Sequence, residues 1–206
     1  MGFCEAKEHV LRDFLFCVEK ETIPPLGQYL PDYVKQGGSV SSEDYGLLPI
    51  TATALGWVAT SSECLTDGMI ELRCKYEELV PDEFGGHTER GWRELGVIGF
   101  DVLEGVVLDV LAIEKTTRRV DWAEPRLECI DWERVLIHAV VDFGRYCKAK
   151  QVRLQPADQC PPSAEIEADP TRLDAFRAEL KARHDDNARA SGFDYDKALN
   201  RFVFDL

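Results

Sequence analysis

Long apolar runs are missing from this sequence, since none approaches the roughly 18 to 20 residues that a membrane-spanning helix requires. The first residues also lack the basic and then apolar segments that are typical of a secretory signal. Basic residues are scarce as well, because 24 Lys and Arg face 38 Asp and Glu and leave a net charge of −14. A surface of this charge repels phosphate groups, so we expect a protein that binds neither nucleic acid nor anionic membranes. Because the sequence shows no secretory signal and no membrane-spanning run, we expect it in the cytoplasm.

The short motifs of several enzyme classes are absent too. No Gly-x-Gly-x-x-Gly follows a strand, and neither a Walker-type Gly-Lys-Ser/Thr nor a Gly-x-Ser-x-Gly occurs. The seven cysteines and four histidines are dispersed, without the close spacing of zinc ligands. An odd cysteine count of this kind favours a reducing compartment and thiols packed as small apolar side chains. We therefore expect no metal site, no classical nucleotide loop and no serine hydrolase centre.

The first half of the chain carries a mixed pattern of elements. Alternation of apolar and charged residues from Ile70 to Tyr76 predicts a half-buried strand. Weaker patterns predict a helix over 5–20, a loop over 30–46, a strand over 51–60 and a connection over 81–90. Residues 1–92 therefore either extend the sheet of the second half or form a small subdomain.

The second half has a more regular order. A nearly all-apolar run over 106–113 is typical of a central strand that is covered on both faces. Asp131 suits the N-cap of a helix with a buried apolar stripe, and a short strand over 151–155 follows that helix. Strand, helix and strand in this order predict a crossover between two parallel strands.

A last helix and a hairpin complete the pattern. Asp169 and Pro170 suit the first positions of a helix, and Gly192 suits its left-handed end. Apolar residues on both sides of a turn at 196–200 predict a hairpin of two short strands. The expected fold is mixed α+β or α/β, with a central mixed sheet, a parallel strand pair joined by a crossover helix, and helices on both faces.

Four features of the second half occur in a recognisable order. They are a hairpin over 96–113, a helix over 131–148, a strand over 152–155, and an ending that reads Ala-Arg-Ala-Ser-Gly-Phe at 188–193 and Arg-Phe-Val-Phe at 201–204. In this layout the chain from 93 to 206, about half its length, resembles the GNAT superfamily of N-acyltransferases. The resemblance implies a GNAT-like core at 93–206 and acetyl-CoA or another acyl-CoA as cofactor.

The resemblance also implies where the cofactor lies. The two neighbouring parallel strands would part, and the pantetheine arm of acyl-CoA would lie between them. Leu111, Ala112 and Ile113, at the end of the first of these strands, would border that arm. The helix after this strand would present its first backbone N–H groups to the pyrophosphate.

The phosphate loop departs from the family pattern. The family's loop is rich in glycine, whereas this chain has no glycine between Gly105 and Gly144. Three arginines before the crossover helix are candidate phosphate ligands in its place: Arg118, Arg119 and Arg126. The other interpretation is that they belong to a solvated loop of mixed charge.

Three residues are candidates for proton transfer. Asp109 and Glu114 could accept the proton of an attacking amine, although a carboxylate inside an apolar strand, such as Asp109, can equally belong to a local salt bridge. The tyrosine that serves the family as general acid would fall on Ala188. His184, one turn earlier, is a candidate for that role, and its other interpretation is an ordinary surface histidine.

Two functions follow from these patterns. The first is an acyl-CoA-dependent N-acyltransferase that acts on a small-molecule or peptide amine. The second is a non-catalytic acidic binding module of the same layout, which docks on a basic protein partner as an inhibitor or subunit. The missing glycines favour the second function, and the retained layout favours the first.

Overall fold

The computed structural model describes residues 33–35, 45–51, 66–80, 85–103, 107–115 and 129–206. Their strands are β1 (Tyr45–Thr51), β2 (Gly68–Val80), β3 (His87–Leu103), β4 (Val107–Lys115), β5 (Gln151–Leu154), β6 (Asp194–Asp196) and β7 (Arg201–Asp205). Their α-helices are α1 (Trp132–Tyr146), α2 (Ala164–Glu167), α3 (Pro170–Lys181) and α4 (Asn187–Ala190). A 3₁₀ turn spans Ala157–Gln159, and a π-helical segment, Ala182–Asp186, joins α3 to α4.

The strands form one mixed sheet in the order β1-β2-β3-β4-β5-β7-β6. Its parallel pair is β4 and β5, which α1 connects, while the other neighbouring strands run antiparallel. The predicted mixed sheet with a parallel pair and a crossover helix is therefore confirmed. β4 is the fourth of seven strands, so the apolar run that predicted a central strand lies at the centre of the sheet.

α1 packs its apolar stripe closely against the sheet. Gly144 makes this approach possible, because a Cβ at that position would lie 2.6 Å from a Leu206 methyl, 3.1 Å from Val152 and 3.4 Å from Leu108. Leu108 and Val152 therefore point towards α1. Side chains alternate along a strand, so Asp109 and Arg153 point to the opposite face of the sheet.

The terminal helical run begins and ends as the sequence predicts. The Asp169 carboxylate accepts hydrogen bonds from the backbone N–H groups of Thr171 and Arg172, and Pro170 occupies the first helical position. At the other end Gly192 adopts a φ of 85°, the left-handed conformation that costs glycine least. Arg189 of α4 lies over Phe202 of the sheet, which places this helix on the same face as α1.

Among the described residues, part of the β2–β3 pair extends beyond the paired lengths of β1 and β4. β1 pairs with β2 only as far as Cys74, and β4 pairs with β3 only from Gly96 onwards. Residues 75–80 and 87–92 therefore form a two-stranded ribbon. Charged pairs such as Arg90 with Glu77 cover it, and the Leu79 side chain is 68% exposed.

Two predicted boundaries in the first half are wrong. β1 begins at Tyr45, inside the loop expected over 30–46, and β3 begins at His87, inside the connection expected over 81–90. Residues 87–94 lack strict alternation of apolar and polar side chains, so no strand was predicted there. The strand expected over 51–60 lies outside the described residues except for Thr51, at the end of β1. The helix expected over 5–20 and most of the loop expected over 30–46 lie outside the described residues, and so the expected helices on the second face are not tested.

Candidate functional site

The parallel strands β4 and β5 part halfway along β4. Four residue pairs join them, from Val107 with Gln151 to Val110 with Leu154, and the Gln155 N–H donates one further hydrogen bond to the Val110 carbonyl at 2.9 Å. The chain then turns away at Pro156, while β4 continues. In the part of the chain that the structure describes, residues 111–114 have no strand partner on the β5 side. We call these residues the open half of β4.

A bulge begins the open half of β4. β3 pairs Phe100 with Val110 and Gly99 with Ala112, so Leu111 is an extra residue without a partner in β3. A bulge locally interrupts the ladder and bends the strand. The bend therefore coincides with the point at which β5 leaves β4.

The structure places part of the predicted cofactor contacts at this opening. Leu111 and Ala112 are half-buried, and Ile113 is buried with its backbone on the open side. Arg118, Arg119 and Arg126 lie outside the described residues, so their predicted role is not tested.

Two side chains of the π-helical segment reach the opening. Arg183 donates a hydrogen bond from Nη1 to the Ile113 carbonyl on β4 at 3.3 Å, and it also forms an ion pair with Glu179. His184 bonds through Nδ1 to the carbonyl of Gln155, just past β5, at 2.8 Å. Adjacent residues of one helix thus hold the two separated strand ends.

The His184 imidazole is buried rather than on the surface, and its surroundings disfavour the charged form. Only 2% of the residue is exposed, and burial lowers the pKa of its side chain; the positive charge of Arg183 acts in the same direction, whereas the Gln155 bond and Asp185 oppose it. A carbonyl only accepts, so Nδ1 carries the proton and Nε2 is the basic nitrogen. The alternative of a surface histidine is wrong, and the predicted role in proton transfer stays a prediction.

We expect acid to weaken the fold through His184. Because its pKa is lower in the folded state, the unfolded chain binds the proton more readily as the pH falls below about 6.5. The free energy of unfolding should therefore decrease below about pH 6.5, by at most about 1.4 kcal/mol per pH unit, until the folded imidazole itself titrates. Urea unfolding from pH 7.5 to 5.0 should show a steeper loss in the wild type than in His184→Gln. Parallel curves for the two proteins would contradict this assignment.

The start of α1 closes one end of the opening. Arg183 lies with its guanidinium carbon 5.7 Å from the Trp132 ring centre. Burial raises the pKa of the neighbouring Glu133 carboxyl. A hydrogen bond from the backbone N–H of Glu133 opposes this rise, and so do the positive charges of Arg183 and Lys35. Asp131 occupies the N-cap position but makes no capping hydrogen bond through its side chain. The predicted position of the N-cap is therefore correct, although the side chain does not cap the helix.

The predicted bases lie on the face opposite α1. Glu114 is half-buried on the open half of β4, in register with Val97, which is in register with Glu71 of β2. Glu114 and Glu71 therefore point to the same face. Burial raises the pKa of the Glu71 carboxyl despite its hydrogen bond and ion pair with Arg73. A buried acid with a raised pKa is a candidate functional group that the sequence pattern did not reveal.

Asp109 forms a buried ion pair with Arg201. The Arg201 Nε donates to one carboxylate oxygen at 3.0 Å, and Nη2 lies 3.4 Å from the other. Asp109 is 7% exposed. Of the two interpretations drawn from the sequence, the salt bridge is therefore present, and a role as base stays a prediction.

Glutamines connect this ion pair to the opening. Arg201 also donates to the Gln159 side chain, and the Gln155 side chain donates to the Gln159 carbonyl at 2.9 Å. Since the Gln155 carbonyl accepts from His184, Asp109 and His184 are linked through Arg201, Gln159 and Gln155, by hydrogen bonds and by the covalent structure of the two glutamines. Sequence reasoning missed Arg183, Arg201 and Gln159. For the Asp109–Arg201 pair, the available signal was an aspartate inside the apolar run of β4 and an arginine at the start of β7.

A cavity of about 450 Å³ lies between the 3₁₀ turn and α3. Phe176 and Leu180 supply apolar walls, and the charged side chains of Arg177, Lys181, Asp158 and Asp185 also line it, two of each sign. Among the described residues, no three His, Cys, Asp or Glu side chains are grouped so as to hold a metal ion. Within the same part of the chain, no helix combines the length and apolar character needed to span a bilayer.

Comparison with known proteins adds no relative. No family model matches the chain, and no curated protein or solved structure shows significant similarity to it.

Proposed function

We propose that this chain is an acyl-CoA-dependent N-acyltransferase, with the opening between β4 and β5 as its cofactor site. The observation that carries the proposal is the parting of a parallel strand pair at a bulge, which leaves the backbone of one strand facing a gap. Pantetheine contains two amide groups, so it can pair with such a strand edge as a peptide does. Acyl-CoA supplies the thioester that is consumed when an amine is acylated.

The residues around the gap divide into two groups. The open half of β4 binds and orients the cofactor through its backbone, and Arg183 contributes positive charge near the start of α1. Glu114 lies beyond the bulge on the face opposite α1 and is the carboxylate best placed to take the amine proton. Glu71 shares its face and pairs with Arg73.

A second function rests on a separate observation. Two backbone acceptors at the gap, the carbonyls of Ile113 and Gln155, already receive hydrogen bonds from Arg183 and His184. A gap that the chain itself fills favours the non-catalytic module, whose net charge of −14 suits a basic protein partner.

Cofactor binding separates the two functions. If acyl-CoA occupies the gap, CoA or acetyl-CoA at about 100 times its dissociation constant should stabilise the fold by about 2.7 kcal/mol. Differential scanning fluorimetry with increasing CoA measures this as a rise in Tm. An unchanged Tm at millimolar CoA would contradict the enzyme and leave the binding module.

A further inference from the structure

Arg183 is the charged side chain that spans the opening. Its side chain is only 15% exposed, although it carries a full positive charge. Nη1 contacts Ile113 of β4, Nη2 contacts Glu179, and the guanidinium carbon lies near the Trp132 ring at the start of α1. The guanidinium therefore lies between the open half of β4 and the first turn of the crossover helix.

The hydrogen bonds of this guanidinium are incomplete. Its Nε is fully buried and finds no acceptor among the described residues, and its contact with the Ile113 carbonyl, at 3.3 Å, is long for an N–H···O bond. Buried donors nearly always have partners, and an exception calls for an explanation. The Nε and Nη edge of an arginine is the edge that binds two oxygens of one phosphate.

The carboxylates of Glu179 and Glu133 both interact electrostatically with the Arg183 guanidinium. Glu179 pairs with Arg183 from the preceding helical turn, and Glu133, in the first turn of α1, feels the charge of Arg183. Lys35 adds a second positive charge near Glu133. An anion that enters the opening therefore competes with Glu179 for Arg183 and is repelled by the charge of Glu133.

We propose, on the premise of the function above, that Arg183 binds the diphosphate of acyl-CoA in place of a glycine-rich loop and that Glu133 weakens this binding. In the chain without cofactor, Arg183 bridges the gap to Ile113. Cofactor binding places two phosphate oxygens on Nε and Nη2 in exchange for the ion pair with Glu179, and so satisfies Nε.

The test compares CoA with pantetheine, which lacks the diphosphate, by isothermal titration calorimetry on the full chain. Arg183→Gln should weaken CoA binding by about 10- to 100-fold, as expected for hydrogen bonds to a charged group, and leave pantetheine binding unchanged. Arg183→Lys keeps the positive charge but lacks the paired N–H donors of the guanidinium. Its affinity for CoA should therefore lie between those of the wild type and Arg183→Gln. Glu133→Gln should tighten CoA binding several-fold and leave pantetheine unchanged. Arg172→Gln, which changes an exposed arginine of α3 outside the cavity, is the matched control and should bind CoA as the wild type does.

Each outcome decides a separate point. Wild-type CoA affinity in Arg183→Gln, or an equal loss for CoA and pantetheine, would overturn the role of Arg183 and leave the proposed function standing. A wild type that binds neither compound at millimolar concentration would reject the proposed function and this role with it. If Arg183→Gln does not fold, Glu133→Gln decides, since unchanged CoA affinity in that variant would overturn the proposal.

Discussion

Asp109→Ala destabilises the fold by about 3–5 kcal/mol, the expected cost of removing one partner of a buried ion pair. The side chains of Asp109 and Arg201 are only 10% and 20% exposed, so water replaces little of the lost interaction. Arg201 keeps the Gln159 side chain and the Asn200 carbonyl as acceptors, but neither neutralises its charge. Urea unfolding followed by circular dichroism measures the loss.

An exposed pair of the same residue types is the control. Asp186 and Arg189 lie 3.5 Å apart on the terminal helix, with side chains 61% and 55% exposed. Asp186→Ala should therefore change the free energy of unfolding by about 0.5 kcal/mol or less. The double variant Asp109→Leu with Arg201→Met should recover much of the stability, because an apolar pair avoids the cost of dehydrating two charges. Equal effects of Asp109→Ala and Asp186→Ala would show that the buried pair is not isolated from water.

Trp132→Ala should cost about 3–5 kcal/mol, the usual range for removing a buried large aromatic side chain. Trp132 is 6% exposed at the start of α1 and packs on Gly96 of β3. A Cβ at Gly96 would lie 2.7 Å from the indole ring, so glycine is required there for this contact. Removal of the ring also takes away a surface against which Arg183 lies. Thermal and urea unfolding report the loss.

The chain offers a matched tryptophan for comparison. Trp92, on the ribbon of β2 and β3, is 46% exposed and carries Lys75 near its ring. Trp92→Ala should cost less than about 1 kcal/mol. If Trp132→Ala were equally mild, the packing of α1 on β3 would be looser than these contacts indicate.

Features that depend on local pattern were predictable. The apolar run of β4 gave the central strand, the stripe of α1 gave the crossover helix, and Asp169 and Gly192 gave the two ends of the last helix. In each case the physical cause lies within a few residues of sequence, whether as side-chain periodicity, a cap or a permitted φ.

The contacts that define the candidate site were not predictable in the same way. Arg183 and Ile113 are 70 residues apart in sequence, and Asp109 and Arg201 are 92 apart. The sheet order brings Asp109 and Arg201 together, because β7 lies beside β5 and β5 lies beside β4, whereas Arg183 reaches Ile113 from the π-helical segment. A sequence pattern identifies a charged residue in an apolar strand, but it does not identify the partner.

The π-helical segment gives the terminal helix one wide turn at the point where it passes the opening. Successive residues of an α-helix are about 100° apart around the axis, so a turn that holds one extra residue shifts the angular phase of everything beyond it. Neighbouring side chains can then reach two different strands: Arg183 bonds to Ile113 of β4, and His184 bonds to Gln155, just past β5. Deletion of one residue from α3 would keep both Arg183 and His184 in the sequence. It would nevertheless rotate their side chains away from the carbonyls of Ile113 and Gln155. In this chain the count of residues along the helix therefore matters as much as their identity.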